Sequence, residues 1–196
     1  MVTKNGSKPR IGVLALQGDF EAHCRALERA GAEAVEVRTA QELDAVDGLV
    51  IPGGESTTML KLLGIENLFQ PLADFGAQKP IFGTCAGAIL LAKEVVNPTQ
   101  ASLGLMDMTV ERNGYGRQID SRIARIDVAG QPAEAVFIRA PIIRRTGPQV
   151  KVLAEYEGTA VLAEQGKHMV ATFHPELSPS DTVHKRFVDK VRSLHL

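Results

Sequence analysis

Short apolar runs that end in glycine turns and lead into helical stretches are the feature that most constrains this fold. "RIGVLALQGDF" is the first of them. An apolar run bounded by turn residues fits a strand buried on both faces. "EAHCRALERAGA" follows, with Ala22, Ala26 and Leu27 at helical spacing and Gly31 placed to end the helix. "AVEV" reads as a second strand, and Thr39 with Glu42 matches a capping box that opens a short helix. "GLVIPGGEST" and "KPIFGTCAGAILLAKEVV" repeat the order of strand, glycine turn and helix. Strands that alternate with helices predict an α/β fold, a parallel sheet with helices on both faces.

After about Asn97 the pattern changes. "DVAGQPAEAVFIRAP" and "VKVLAEYEGTAVLAEQGKHMVATFHPE" read as hairpin strands with glycine turns. "SDTVHKRFVDKV" is a helix with Val183, Phe187, Val188 and Val191 on one face and Ser180 or Asp181 as its cap. A chain of 196 residues fits one domain, 1–196, and neither a repeat nor a linker divides it. Residues 1–9 are polar, lack the apolar core of a signal peptide, and read as a flexible leader.

Composition narrows the function. The net charge of −1 provides no broad basic field for nucleic acid or an anionic membrane. The basic residues between Arg112 and Arg125, and Arg144-Arg145, read as solvated surface, with Arg112 the exception. No apolar run approaches the roughly 20 residues of a membrane span. The two cysteines, Cys24 and Cys85, allow one disulfide, yet there is no disulfide framework and no Cys-x-x-Cys metal motif. A cytoplasmic, reducing location is the simplest expectation.

Cys85 stands at the carboxyl end of a predicted parallel strand, where open sheets bind ligands. Gly83-x-Cys85-x-Gly87 is the cysteine form of the Gly-x-Ser-x-Gly elbow. A strand-to-helix turn that sharp needs small neighbours two residues away on each side. The following helix then aims its N-terminal N–H groups at the side chain, which favours thiolate. A buried structural cysteine is the plain alternative. A cysteine nucleophile needs a histidine, and the histidine an orienting group. Of the five histidines, His23 and His184 sit within helices and read as surface residues, His168 falls in a hairpin turn, and His195 is in the tail. His174 ends the run "MVATF" and precedes Pro175 and Glu176. In an extended segment residues i and i+2 project together, so Glu176 is placed to hold the His174 ring. The alternative is a surface "HPE" turn.

"GTCAG" together with "FHPE" resembles the class I, triad-type glutamine amidotransferases. "ALQGD", "PGGEST", "GLMDMTVERNGYGRQIDS" and "VFIRAP" narrow the resemblance to the PdxT family, the glutaminase subunits of pyridoxal 5′-phosphate synthase. It spans about Gly12 to Val191. Two positions depart from it: Ala88 stands where a larger apolar residue is expected, and "RAPII" lacks a histidine after Pro141.

The resemblance implies a three-layer, flavodoxin-like fold, with a mostly parallel central sheet flanked by helices and extra antiparallel strands in the second half. It implies hydrolysis of L-glutamine to glutamate and ammonia by Cys85, His174 and Glu176 through a thioester, without metal or organic cofactor. The oxyanion would be held by the N–H groups of Gly54 and Ala86. Gly54, Glu55, Ser56, Arg112, Ile138 and Arg139 would contact glutamine, and Gln17 would gate the site at the border with the ring-forming synthase subunit. That partner would receive the ammonia. The other readings are a glutaminase of another pathway, a cysteine peptidase, and a non-catalytic binding module on the same fold.

Overall fold

A computed structural model describes residues 8–113 and 122–194. Its first half runs β1 (Arg10–Leu14), α1 (Phe20–Arg29), β2 (Glu33–Val37), α2 (Ala40–Asp44), β3 (Gly48–Ile51), α3 (Ser56–Ile65), α4 (Phe69–Gln78), β4 (Ile81–Thr84) and α5 (Ala86–Leu91). The chain continues through β5 (Ala92–Val96), β6 (Met106–Glu111), β7 (Arg122–Val128), β8 (Gln131–Phe137) and β9 (Ile142–Thr146). It ends with β10 (Lys151–Tyr156), β11 (Thr159–Gln165), β12 (His168–Ala171), a 3-10 turn at Pro175–Leu177 and α6 (Thr182–Ser193).

The main sheet has seven strands in the order β10-β11-β12-β4-β3-β1-β2. Neighbours from β12 to β2 pair in parallel, whereas β10, β11 and β12 pair antiparallel. Strands β5, β6 and β9 form a second sheet, and β7 with β8 a separate hairpin. Successive side chains of a strand alternate faces. Ile11, Val13, Val50 and Phe82 accordingly pack with Leu27 of α1 and Phe187, Val188 and Val191 of α6. Leu14, Leu49, Ile51 and Ile81 pack on the opposite face with Met59 and Leu63 of α3 and Leu72 of α4. Both faces are covered, which is why these strands are apolar throughout rather than alternating. Within the expected leader, Pro9 is buried and its carbonyl accepts from Glu33 N at 2.9 Å, while residues 1–7 lie outside the described residues.

Several local expectations hold. The Thr39–Glu42 capping box is formed, and Gly31, at φ +95°, follows the end of α1. Others change. The helix after Cys85 stops at Leu91, and Ala92–Val96 is a strand parallel to β6. Every residue of α5 is buried, so its apolar run carries no helical stripe to separate it from the strand that follows. His23 and His184 are not surface residues: both are fully buried, on the inward stripes of α1 and α6. Their positions beside Ala26–Leu27 and Phe187–Val188 outweighed the usual preference of histidine for partial exposure. His168 is not in a turn but begins β12, where its Nδ1 accepts from Ile81 N at 3.2 Å. Cys24 and Cys85 are both free thiols, so the possible disulfide is not formed. Asp181 precedes α6 without capping it; its carboxylate pairs with Arg29 at 2.8 Å instead. Among the described residues no helix is long and apolar enough to cross a membrane.

Glycine is a steric requirement at two points of the β4–α5 junction. A Cβ on Gly83 would overlap the backbone of Gly87, and a Cβ on Gly87 would overlap the carbonyl oxygen of Ile51. Neither neighbour is the free end of a side chain. Gly64, in α3, has nothing within 4 Å of the equivalent position. Overpacking typically costs about 1–3 kcal/mol and more where backbone must move. Gly87→Ala should therefore lower the unfolding free energy in urea by at least about 2 kcal/mol, whereas Gly64→Ala should raise it by up to about 1 kcal/mol. Equal midpoints for the two variants would contradict this account of the junction.

Candidate functional site

Cys85 has φ 50° and ψ −104°, a conformation that non-glycine residues rarely adopt. It is fixed from both sides: Cys85 N donates to Ala171 O of β12 at 2.8 Å, and Cys85 O accepts from Ile89 N at 3.2 Å. The turn thus lies between the parallel neighbour β12 and the first turn of α5. Ala86 begins α5, so its N–H is among the donors that a helix start leaves without an intrahelical partner.

His174 and Glu176 arrive from the segment after β12. The expected extended geometry is not what joins them. Residues Pro175–Leu177 form a 3-10 turn, and His174 precedes it at φ −107° and ψ 84°. The turn still brings His174 Nδ1 to 2.8 Å from Glu176 Oε1. Glu176 is an almost fully buried carboxylate. Burial by itself would pull the His174 pKa down. Hydrogen bonds with Cys85 and with Glu176 outweigh it and push the pKa up to about 10. Gly53 belongs to the same packing: a Cβ there would fall 2.5 Å from His174 Cε1 and 3.0 Å from Cys85 Cβ. Its lack of a side chain makes room for the histidine rather than for a ligand.

Above these groups lies a cavity of about 370 Å³, lined by Gly54, Glu55, Ser56, Cys85, Ile89, Arg112, Asn113, Ile138, Arg139 and His174. Gly54 takes φ +137°, and the Gln17 amide nitrogen donates to Glu55 O at 2.8 Å, so Gln17 braces the Glu55–Ser56 peptide without lining the cavity. Glu55, not Ser56, caps α3: its carboxylate accepts from Thr57 N and Thr58 N. The Thr57 hydroxyl and these N–H groups hold the Glu55 pKa down at about 2, against a smaller opposing effect of burial. The Ser56 hydroxyl donates to Gln100 Oε1 at 2.9 Å. Arg112 Nη2 lies 3.3 Å from Glu55 Oε1, while its buried Nε has no partner among the described residues. Arg139 sits at φ 47°, a strained conformation at the cavity wall.

Residues 13–193 match the SNO glutamine amidotransferase family. The chain belongs to this family. It is 58% identical over 190 residues to a pyridoxal 5′-phosphate synthase subunit PdxT of Solibacter usitatus, covering 93% of this chain and 99% of that protein. It is 54% identical over 186 residues to the PdxT subunit of Koribacter versatilis, covering 94% and 96%. A crystal structure of a glutamine amidotransferase superposes with a TM-score of 0.87 at 44% identity, covering 93% of this chain and 98% of that one. The PurLQS structure from Thermotoga maritima shares the fold at a TM-score of 0.69 and 17% identity, covering 97% of this chain and 100% of that one.

Within this glutamine amidotransferase the elbow, the histidine–glutamate pair and the expected glutamine contacts all meet at one cavity. Of the residues named from sequence, Gln17, Ala86 and Glu176 do not line it. Sequence reasoning did not single out Ile89 or Asn113 as lining residues. Asn113 adjoins Arg112 in "ERNGYG", and Ile89 lies one helical turn beyond Cys85, so both positions carried a signal. The rest of that motif, from Gly114, lies outside the described residues. Ala88 is fully buried in the second core, and Ile142 begins β9, buried, where the family resemblance led us to expect a histidine.

The protonation state of His174 is open to direct measurement. In an NMR titration its ring should stay protonated through neutral pH and lose the proton near pH 10. Glu176→Gln removes the adjacent negative charge and should lower that midpoint by about 1–3 units. A midpoint near 6.5 in the unmodified chain would overturn the assigned balance.

Proposed function

We propose that this chain is the glutamine-hydrolysing subunit of a pyridoxal 5′-phosphate synthase, and that Cys85, His174 and Glu176 carry the reaction. The observation that carries this reading is the strained Cys85 turn in the lining of a cavity that His174 also lines, with His174 hydrogen-bonded to Glu176.

The steps follow from the groups present. The Cys85 thiolate attacks the side-chain amide carbon of L-glutamine, and the carbonyl π pair moves to oxygen. The N–H groups of Ala86 and Gly54 stabilise that oxyanion; one such donor is typically worth about 10²–10³ in rate. Protonated His174 gives its proton to the amide nitrogen, ammonia leaves as the C–N bond breaks, and a glutamyl thioester remains. His174, now neutral, takes a proton from water, and the hydroxide adds to the thioester. Collapse of the second tetrahedral species breaks the C–S bond, releases glutamate and restores thiolate and imidazolium. Glu176 stays ionised and holds the ring in place.

Arg112 suits the α-carboxylate of glutamine because a guanidinium binds a carboxylate in a two-pronged manner. Its Nε, unpartnered among the described residues, leaves donor capacity in the cavity. Glu55 and Ser56 meet the amino-acid end of the substrate, and Ile138 and Arg139 form the opposite wall. Ammonia passes to the ring-forming synthase subunit, and Gln17, which donates to Glu55 O beside the cavity, gates the site at the border with that subunit. The two free thiols suit the reducing cytoplasm. Nothing in this reaction requires a metal or an organic cofactor.

Glutamate release from L-glutamine, with and without the synthase subunit, tests the reading. Release should rise when the synthase is added and disappear in Cys85→Ala. Arg112→Ala should raise KM by about 10-fold or more, the worth of a hydrogen-bonded charge. Absence of release from a folded wild-type chain in the complex would overturn the proposal. Release that ignores this synthase would leave the hydrolysis and remove the pathway.

A further inference from the structure

Two more imidazoles lie buried behind the proposed triad, and the reaction derived above does not use them. His23 of α1 and His184 of α6 are both 0% exposed. His23 Nε2 is 3.3 Å from Glu176 Oε2 and 3.2 Å from Thr84 Oγ1, at the end of β4. On the other side of the ring, His23 Nδ1 is 3.0 Å from His184 Nε2. Glu176 thus lies between two histidines, with Oε1 toward His174 and Oε2 toward His23. Among the described residues Oε2 accepts no hydrogen bond of good geometry, and the His23 ring nitrogen at 3.3 Å is the polar group set against it.

Only one tautomer of His23 satisfies this arrangement. If the proton is on Nε2, it faces the carboxylate and the threonine hydroxyl, and Nδ1 accepts from His184 Nε2–H. The one group left over is the lone pair of His184 Nδ1, which is buried without a partner. If the proton is instead on Nδ1, the bare Nε2 can accept from the Thr84 hydroxyl, but its lone pair also faces the Glu176 carboxylate, and His184 is left with an unpartnered buried N–H. A buried unsatisfied polar group costs about 1–3 kcal/mol, more beside a charge. The first arrangement is therefore the stable one. Burial foremost, then the neighbouring His184 and His174, keeps His23 neutral. Burial likewise lowers His184 to about 4, against Asp181 and together with Arg29.

We propose that His23, backed by His184, is a positioning residue for glutamine hydrolysis: its Nε2–H holds the second oxygen of Glu176, so that the first is fixed on His174. The inference rests on the triad reading above. It extends the line of facing polar groups from His174 and Glu176 through His23 to His184. It also says why α1 and α6 carry histidines on their inward faces. Neither histidine lines the glutamine cavity. Their effect therefore falls on the chemical step and not on substrate binding.

Kinetics of the chain in complex with its synthase partner test this, using His23→Leu, His23→Gln and His184→Leu. Leucine fills the space without a donor, whereas the glutamine amide can place an N–H near Glu176 Oε2. His23→Leu should lower kcat about tenfold or more, as loss of outer partners of functional groups does, and leave KM within about twofold. His23→Gln should recover most of kcat, and His184→Leu should show a smaller loss. A loss confined to KM, equal losses in folded His23→Leu and His23→Gln, or an unchanged kcat would overturn the proposal. Should His23→Leu fail to fold, nitrogen-15 NMR of the wild-type histidines decides the point: a protonated Nε2 and a bare Nδ1 on His23 are expected, and Nδ1–H or an imidazolium overturns it. That spectrum needs no glutamine. A wild-type chain that releases no glutamate yet shows Nε2–H on His23 would end the glutaminase reading and keep the hold on Glu176.

Discussion

The chain reverses from β4 into α5 across a single residue, and the architecture around the site depends on that close approach. Gly83 meets the backbone of Gly87, Gly87 meets the carbonyl of Ile51, and Cys85 between them is driven to φ 50°. Strain of this kind persists only where the surroundings over-determine it. Here β12 supplies a backbone acceptor on one side and α5 a donor on the other. The two apolar cores on either face of the sheet hold those elements in place, each large buried side chain contributing about 1.5–3 kcal/mol. The packing energy of the whole sheet thus maintains one unfavourable residue, whose side chain is exposed to a cavity as a result.

The electrostatics of the site follow from depth. Glu176 is buried and accepts from His174, so the charge that would be costly alone is offset by an imidazolium beside it. A buried carboxylate with two oxygens needs partners on both, and α1 and α6 place His23 and His184 there. At the rim the balance differs. Glu55 is held by a threonine hydroxyl and by the start of its own helix, and Arg112 is only partly engaged. Below the cavity the polar groups are buried and face one another, while the rim keeps a guanidinium nitrogen free for a charged ligand.

Much of the fold was legible because its signals are local. The buried strands β1, β3 and β4, the capping box at Thr39, the closing helix and the later hairpins each announce themselves within a dozen residues. The end of α5 did not, since a segment buried all round has no periodicity to read. The histidines were misread for a related reason. His23 and His184 occupy inward positions of their helices, but residue type argued for the surface, and the partner that makes their burial tolerable is about 150 residues away from one of them along the chain.

By itself the sequence determined the strand–turn–helix alternation and the elbow with its two small neighbours, and it named Cys85, His174 and Glu176 as candidates. The first two rest on steric rules and short spacings that no tertiary context alters. Only the tertiary structure decided how His174 and Glu176 meet, through a 3-10 turn rather than an extended segment. It alone decided that Glu55 caps α3, that Gln17 reaches the Glu55 carbonyl, and that two helical histidines back the buried carboxylate. Such contacts join residues far apart in the chain. Their partners are set by the packing of whole elements, which no window of sequence contains.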